Sequence, residues 1–231
     1  WSDALWFENN MDKKIKSLID RIKLKKQNIE NFLPLPKDLA KRLWDRLRIE
    51  LTYTSNAIEG NTLTRQETSL VIEEWITPWG KNIIEILEAR NHNEALNLIM
   101  DLSKSKKINQ ISLHDILGIH GVILKSIDDK NAGSFRGQNI RIAGSSTIFP
   151  NHMKVSELMD ELEAWLQKTP EELLIVACEL HYKFVRIHPF IDWNGRTWRL
   201  LFNLILLIGW YPLSFIETRE RSKYLDSLWI Y

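Results

Sequence analysis

Between His188 and Arg199 the chain reads His-Pro-Phe-Ile-Asp-Trp-Asn-Gly-Arg-Thr-Trp-Arg, and residue types that can do chemistry crowd together here. His188 is a group able to take a proton near neutral pH. Asp192 offers hard oxygen ligands suited to a Mg²⁺ carried by nucleotide phosphates. An apolar helical pattern ends at Ile187, Pro189 forbids its continuation, and a new helix begins near Gly195, so a tight loop feeds a helix N-terminus. Unpaired N–H groups and the helix dipole favour an anion at such a terminus, and Gly195 lets the backbone approach it closely. Arg196 and Arg199, three apart, share a helix face that points at the same anion. Asn203 continues that face one turn further on. Base, metal ligand, anion nest and paired arginines together describe phosphoryl or nucleotidyl transfer.

Several elements must position this loop. Leu173, Ala177, Leu180, Phe184 and Ile187 form one buried stripe on a helix that aims His188 at the anion loop. Thr169, Pro170 and Glu172 predict the start of that helix, as N-cap, N1 and N3 of a capping box. Thr64 with Glu67 predicts a second capping box, and Ser112 caps a further helix. The run Leu200 to Ile208 predicts a buried helix far too short to span a bilayer. Upstream, Ser55 and Glu59 lie four apart on one helix face, and Gly60 is a natural residue to end that helix. By residue type alone they are polar groups near a helix end, usually solvated. Residues 131–151 carry the one strand signal, Asn139-Ile140-Arg141-Ile142 flanked by Gly133, Gly137 and Gly144, which predicts a short hairpin. Such a hairpin is either a plain surface flap or an edge on which an extended target segment lies.

Composition sets the bounds. The 231 residues are 44% hydrophobic and 26% charged, an ordinary globular composition. Lys and Arg number 31 against 30 Asp and Glu, so the net charge of +1 gives no argument for nucleic acid or a membrane surface. The single cysteine, Cys178, cannot form an internal disulfide; its apolar surroundings predict a buried thiol and a cytoplasmic protein. Met11 to Phe32 predicts a helix with one apolar stripe and a solvated basic face. His92, His114 and His120 fall inside helical patterns and are read as core or surface histidines. The expected organisation is an N-terminal helical region over 1–62 and a core over 63–231, mainly α with one small hairpin. The missing initial Met and the abrupt end suggest a fragment truncated at its C-terminus.

The string from His188 to Arg199 resembles the signature loop of the Fic (Fido) family, His-Pro-Phe-x-Asp/Glu-Gly-Asn-Gly-Arg-x-x-Arg. Ser55 to Gly60 resembles that family's inhibitory motif, Ser/Thr-x-x-x-Glu-Gly/Asn, placed here ahead of the loop. Gly133 to Arg136 and Ile140 to Pro150 resemble its target-docking flap, with Ile140, Arg141 and Ile142 as docking residues. The resemblance implies a Fic-type helical bundle that transfers AMP from ATP, with Mg²⁺, to a Ser, Thr or Tyr hydroxyl of a target protein or of itself. It makes His188 the base and Asp192 the Mg²⁺ ligand. Asn194, Gly195 and Arg196 would cradle the phosphates, Arg199 would bind the terminal one, and Asn203 would complete the nucleotide site. Glu59 paired with Arg199 would put negative charge where that terminal phosphate belongs, leaving ATP in a non-productive pose. Removal of AMP, with Glu59 orienting a water, is a related activity. A nucleotide-binding or interaction module with a blocked loop is the non-enzyme alternative, because Trp193 stands where the family has glycine. A homodimer is left open.

Tryptophans number 10 and glycines 9, an unusual balance. Trp193, Trp198, Trp79 and Trp75 stand where turn chemistry or the family pattern asks for glycine. The expectation is that one codon translated here as tryptophan is read as glycine by the source organism.

Overall fold

The computed structural model describes residues 13–141, 147–169 and 172–228. The chain divides into two compact units, 1–44 and 45–231. In the first, α1 (Lys13–Glu30) buries no residue, and its apolar stripe Ile15, Leu18 and Ile22 is exposed. The turn after it leads into α2 (Lys37–Ile58), whose second half, with Ser55 and Glu59 at its end, belongs to the second unit.

The second unit continues with α3 (Arg65–Glu73), α4 (Ile83–Ser105), α5 (Leu113–Leu124), α6 (Val155–Lys168), α7 (Leu173–Ile187), α8 (Asn194–Ile208) and α9 (Arg221–Leu228). Helix α8 lies at its centre, against α4, α5 and α7. Leu200, Leu201, Leu204, Ile205 and Leu206 surround its axis with apolar groups, which is why it is buried on all sides. Arg196, Thr197, Arg199 and Asn203 are therefore buried as well, and each polar group must find a partner inside. Ala177, Leu180, Phe184 and Ile187 of α7 are buried against it as the stripe predicts. Cys178 is exposed, contrary to the sequence reading. One residue on from Ala177 is a rotation of about 100° on a helix, which turns the thiol off the buried stripe.

Capping follows the sequence at two sites. Thr64 Oγ1 accepts the Glu67 N–H at 3.2 Å while Glu67 accepts the Thr64 N–H at 2.7 Å, and Ser112 forms the same reciprocal pair with Asp115. The start of α7 differs. Helix α6 ends with Thr169 as its C-cap, and Glu172 precedes α7 without a side-chain cap; Pro170 and Glu171 lie outside the described residues.

The expected hairpin is also corrected: no strand occurs among the described residues, and 134–141 and 147–150 are irregular save a bend at Gly137 and Gln138. Their backbone groups bond elsewhere. The Arg136 N–H donates to the Pro189 carbonyl at 2.9 Å, and the Gln138 and Pro150 carbonyls accept from the Arg136 guanidinium. Among the described residues no cross-strand ladder forms, and groups committed in this way are not available to one. Ile142 lies outside the described residues.

Ser112→Ala removes the acceptor for the first-turn N–H of α5 and should lower the unfolding free energy by about 1 kcal/mol, read from the midpoint of a urea denaturation curve.

Candidate active site

Helix α7 ends in His188, which adopts the left-handed conformation (φ 49°, ψ 63°) and bonds its N–H back to the Phe184 carbonyl at 2.9 Å. That conformation turns the chain sharply into Pro189. The loop beyond is closed by Asn194, whose Oδ1 accepts the Phe190 N–H at 3.0 Å and whose Nδ2 donates to the Phe190 carbonyl at 2.8 Å. A second left-handed residue, Trp193 (φ 58°, ψ 13°), stands at the N-cap of α8 and supplies no capping side chain. The first turn of α8 is thus left with donors for an anion.

An anion from the chain itself is there. The Glu59 carboxylate lies so close to Gly195 that a Cβ at that position would collide with its Oε1. Glu59 Oε1 accepts from Arg199 Nη2 at 2.7 Å, and Arg199 also donates to Ser55, from Nε to the hydroxyl at 2.9 Å and from Nη2 to the carbonyl at 3.0 Å. Arg199 is only 5% exposed, so these bonds replace its hydration. Partial burial raises the Glu59 pKa, but the Arg199 guanidinium, with help from Arg196 and Arg221, holds the carboxyl below its ordinary value. The carboxylate is therefore charged throughout the neutral range.

The two arginines of α8 do not converge on one partner. Arg196 Nη1 donates to Glu88 on α4 at 2.8 Å, with both side chains at least nine-tenths buried, and Glu88 also accepts from Asn61 at 2.8 Å. Arg196 Nε is buried with no partner among the described residues, so this cation keeps a free donor. Asn203 is spent on the scaffold. Its amide donates to the carbonyls of Arg199 and Ser214, both at 2.9 Å, and accepts the Ser214 N–H. Asp192 is exposed, with Oδ1 accepting the Trp193 N–H at 2.7 Å. Ile140 is half-buried and Arg141 exposed on the irregular segment.

Burial pushes His188 down to about 4; the nearby Val185 backbone and the charge of Glu59 oppose this, and the charge of Arg136 adds to it. The ring packs on Phe149, with centroids 4.4 Å apart. His188 is thus a neutral imidazole able to accept a proton. Sequence reasoning did not single out Glu88, Phe149, His120 or Arg136 as site residues. His120 accepts the Gly133 N–H at Nδ1 (3.1 Å), so its proton sits on Nε2, facing the Asp192 carbonyl at 3.3 Å, and its ring stacks on Phe190 at 3.6 Å. The signal for Glu88 is a polar interruption of an apolar helix; Arg136 and Phe149 lie in the stretches that resemble the docking flap, and His120 carries no signal in the local pattern.

Residues 110–206 match the Fic/DOC family model. This stretch is a domain of the Fic/DOC family. The chain is 36% identical over 196 residues to the protein adenylyltransferase Fic of Aedes aegypti, covering 81% of this chain and 38% of that one. The Drosophila virilis protein of the same name is 38% identical over 186 residues, 76% of this chain and 36% of the relative. The chain therefore spans less than two fifths of the length of these relatives. Among solved structures, a Fic-domain-containing signaling protein from Bacteroides thetaiotaomicron superposes with a TM-score of 0.81 at 28% identity, covering 91% of this chain and 80% of that one. Fic-1 from Caenorhabditis elegans gives 0.81 at 29% identity, over 98% of this chain and 68% of the other.

Burial lowers the pKa of four histidines: His92 to about 3, and His120, His181 and His188 to about 4. At pH 5 the unfolded chain binds protons at these positions and the folded one does not, so stability falls as pH drops below the ordinary histidine value. The lowered carboxyl of Glu59 acts in the same direction at still lower pH. Calorimetry from pH 7.5 to 5 should show a steady fall in melting temperature, and a flat profile would refute neutral burial.

Proposed function

We propose that the chain is the catalytic region of a protein adenylyltransferase, restrained by its own Glu59. The observation that carries this reading is the internal carboxylate at the N-terminus of α8, on Arg199 and against Gly195, while a neutral His188 stands at the start of the same loop. A site that holds one anion so closely is built for anions. ATP would place its phosphates over Asn194 and Gly195, with the unpaired Nε donor of Arg196 beside them and Arg199 on the terminal phosphate.

Asp192 suits Mg²⁺, since its carboxylate is exposed and has Oδ1 engaged by a neighbouring N–H. When bound there with the nucleotide, the ion would offset the charge of the phosphates. The steps taken by the chain's own groups are few. His188 accepts the proton of a Ser, Thr or Tyr hydroxyl brought to it along the segment of Ile140 and Arg141. The hydroxyl oxygen forms a bond to the α-phosphorus, the bond from that phosphorus to the bridging oxygen breaks, and diphosphate leaves with its electrons. Arg199 can serve the terminal phosphate only after releasing Glu59, so the carboxylate and the phosphate compete for one guanidinium. The single cysteine supports a reducing compartment such as the cytoplasm.

Transfer of labelled AMP tests this. Glu59→Gly should raise self-modification roughly 10- to 100-fold, as for a coupling of about 1–3 kcal/mol, and His188→Ala in that background should lower it by about 10²- to 10⁴-fold. Silence from a folded Glu59→Gly protein that still binds ATP would reject the transferase reading and leave a nucleotide-binding module.

A further inference from the structure

The segment 133–150 and the loop 188–193 are joined through one buried cation. Arg136 is 4% exposed. Among the described residues its guanidinium donates to main-chain carbonyls alone, from Nε to His188 at 2.9 Å, from Nη1 to Gln138 at 3.0 Å and from Nη2 to Pro150 at 2.6 Å. Its own N–H donates to the Pro189 carbonyl at 2.9 Å. No ion pair with a carboxylate is found for it among the described residues. Taking a cation out of water without an anion is costly, and is tolerated where the bonds are well formed and fix something. Here they fix three backbone points at once. Gln138 and Pro150 flank residues 139–141 and 147–149, which carry Ile140, Arg141 and the 92% exposed Ile148. His188 is the residue whose left-handed backbone aims the imidazole.

We propose that Arg136 is a positioning residue that holds the target-bearing segment and the base at one fixed separation. The inference rests on the transferase reading for its kinetic consequence, though not for its mechanical one. Residues 139–141 and 147–149 take their position from the carbonyls of Gln138 and Pro150, and His188 takes its position from the third carbonyl. His120 reinforces the arrangement from the far side, accepting from Gly133 and facing the Asp192 carbonyl. Transfer to water needs His188 and the phosphate site but no seated segment. Transfer to a protein hydroxyl needs all three.

The test uses the Glu59→Gly protein with Arg136→Ala or Arg136→Lys added. Self-modification should fall by about 10- to 100-fold in Arg136→Ala, the scale of a small misplacement at a reacting centre. AMP release to water, which loses the aim of His188 but needs no seated segment, should fall by clearly less than self-modification, and binding of a fluorescent ATP analogue should stay within about twofold. Arg136→Lys, keeping charge and fewer bonds, should fall in between, and it carries the test if Arg136→Ala does not fold. Equal loss of both reactions, or loss of ATP-analogue binding with them, would overturn the proposal. Amide hydrogen exchange, which needs no activity, separates the two readings should Glu59→Gly prove silent. Faster exchange at both 137–141 and 188–194 on loss of the guanidinium supports the clasp, and acceleration of one segment alone refutes it.

A different observation carries a second inference. Among the described residues five non-glycine positions have left-handed φ, and three are tryptophan: Trp75 (58°), Trp193 (58°) and Trp210 (59°). For a bulky residue such a backbone is a genuine outlier. Trp210 occupies the glycine position of a Schellman motif, with the Tyr211 N–H on the Leu206 carbonyl at 2.9 Å and the Trp210 N–H on Leu207 at 3.0 Å. Trp193 buries an indole N–H with no partner among the described residues. Trp79 and Trp198 do not share the conformation; Trp198 sits inside α8, stacked on His181 at 3.5 Å. We infer that positions 75, 193 and 210 are glycine in the protein as its own organism makes it. Peptide mass spectrometry of natively produced protein should give glycine at all three, and tryptophan at any one of them would overturn the inference.

Discussion

Everything in the second compact unit is arranged around a buried guanidinium. Arg199 lies on the innermost helix, where its charge must be answered by acceptors within reach. Ser55 supplies a hydroxyl and a carbonyl, and Glu59 supplies the compensating charge. The end of α2 is thereby tied to the N-terminal half of α8, and Asn203 holds the Arg199 carbonyl from the next turn. Because the Ser55 contacts are neutral, the ion pair that balances Arg199 among the described residues is with Glu59. A phosphate that displaced Glu59 would restore the balance, so exchange of one anion for another costs far less than leaving the site empty.

The same field explains the ionisation states nearby. Arg196, Arg199 and Arg221 lower the carboxyl of Glu59, and Arg199 disfavours protonation of His92 and His181. His188 feels Arg136 and Glu59 with opposite sign, and burial decides the outcome. One group of cations therefore favours a bound anion and neutral imidazoles together. In the proposed reaction both are needed, since a protonated His188 could accept nothing.

The loop is held without a strand or a helix of its own. Asn194 closes it on Phe190, His120 reaches the carbonyl of Asp192, and Arg136 reaches those of His188 and Pro189 by side chain and backbone. Side chains doing the work of a ladder leave the backbone N–H groups at the start of α8 unspent. The left-handed residues at 188 and 193 mark the two corners of this turn.

Much of this was legible in the sequence wherever the cause is local. Helical periodicity placed the stripe of α7, the burial of α8 and the shared face of Ser55 and Glu59, and side-chain chemistry placed the caps at Thr64 and Ser112. The end of α2 at Gly60, with φ 97°, follows from glycine's freedom. Local pattern failed where a distant partner decides. It predicted a hairpin over 131–151, but the backbone N–H and guanidinium of Arg136 bond to a loop some 52 residues away. It set Arg196 and Arg199 on one face but gave no sign that Glu88, 108 residues from Arg196, pairs with the first of them. Periodicity records which face of an element is apolar; which buried polar group meets which partner depends on how faces come together, and only the tertiary structure decides that.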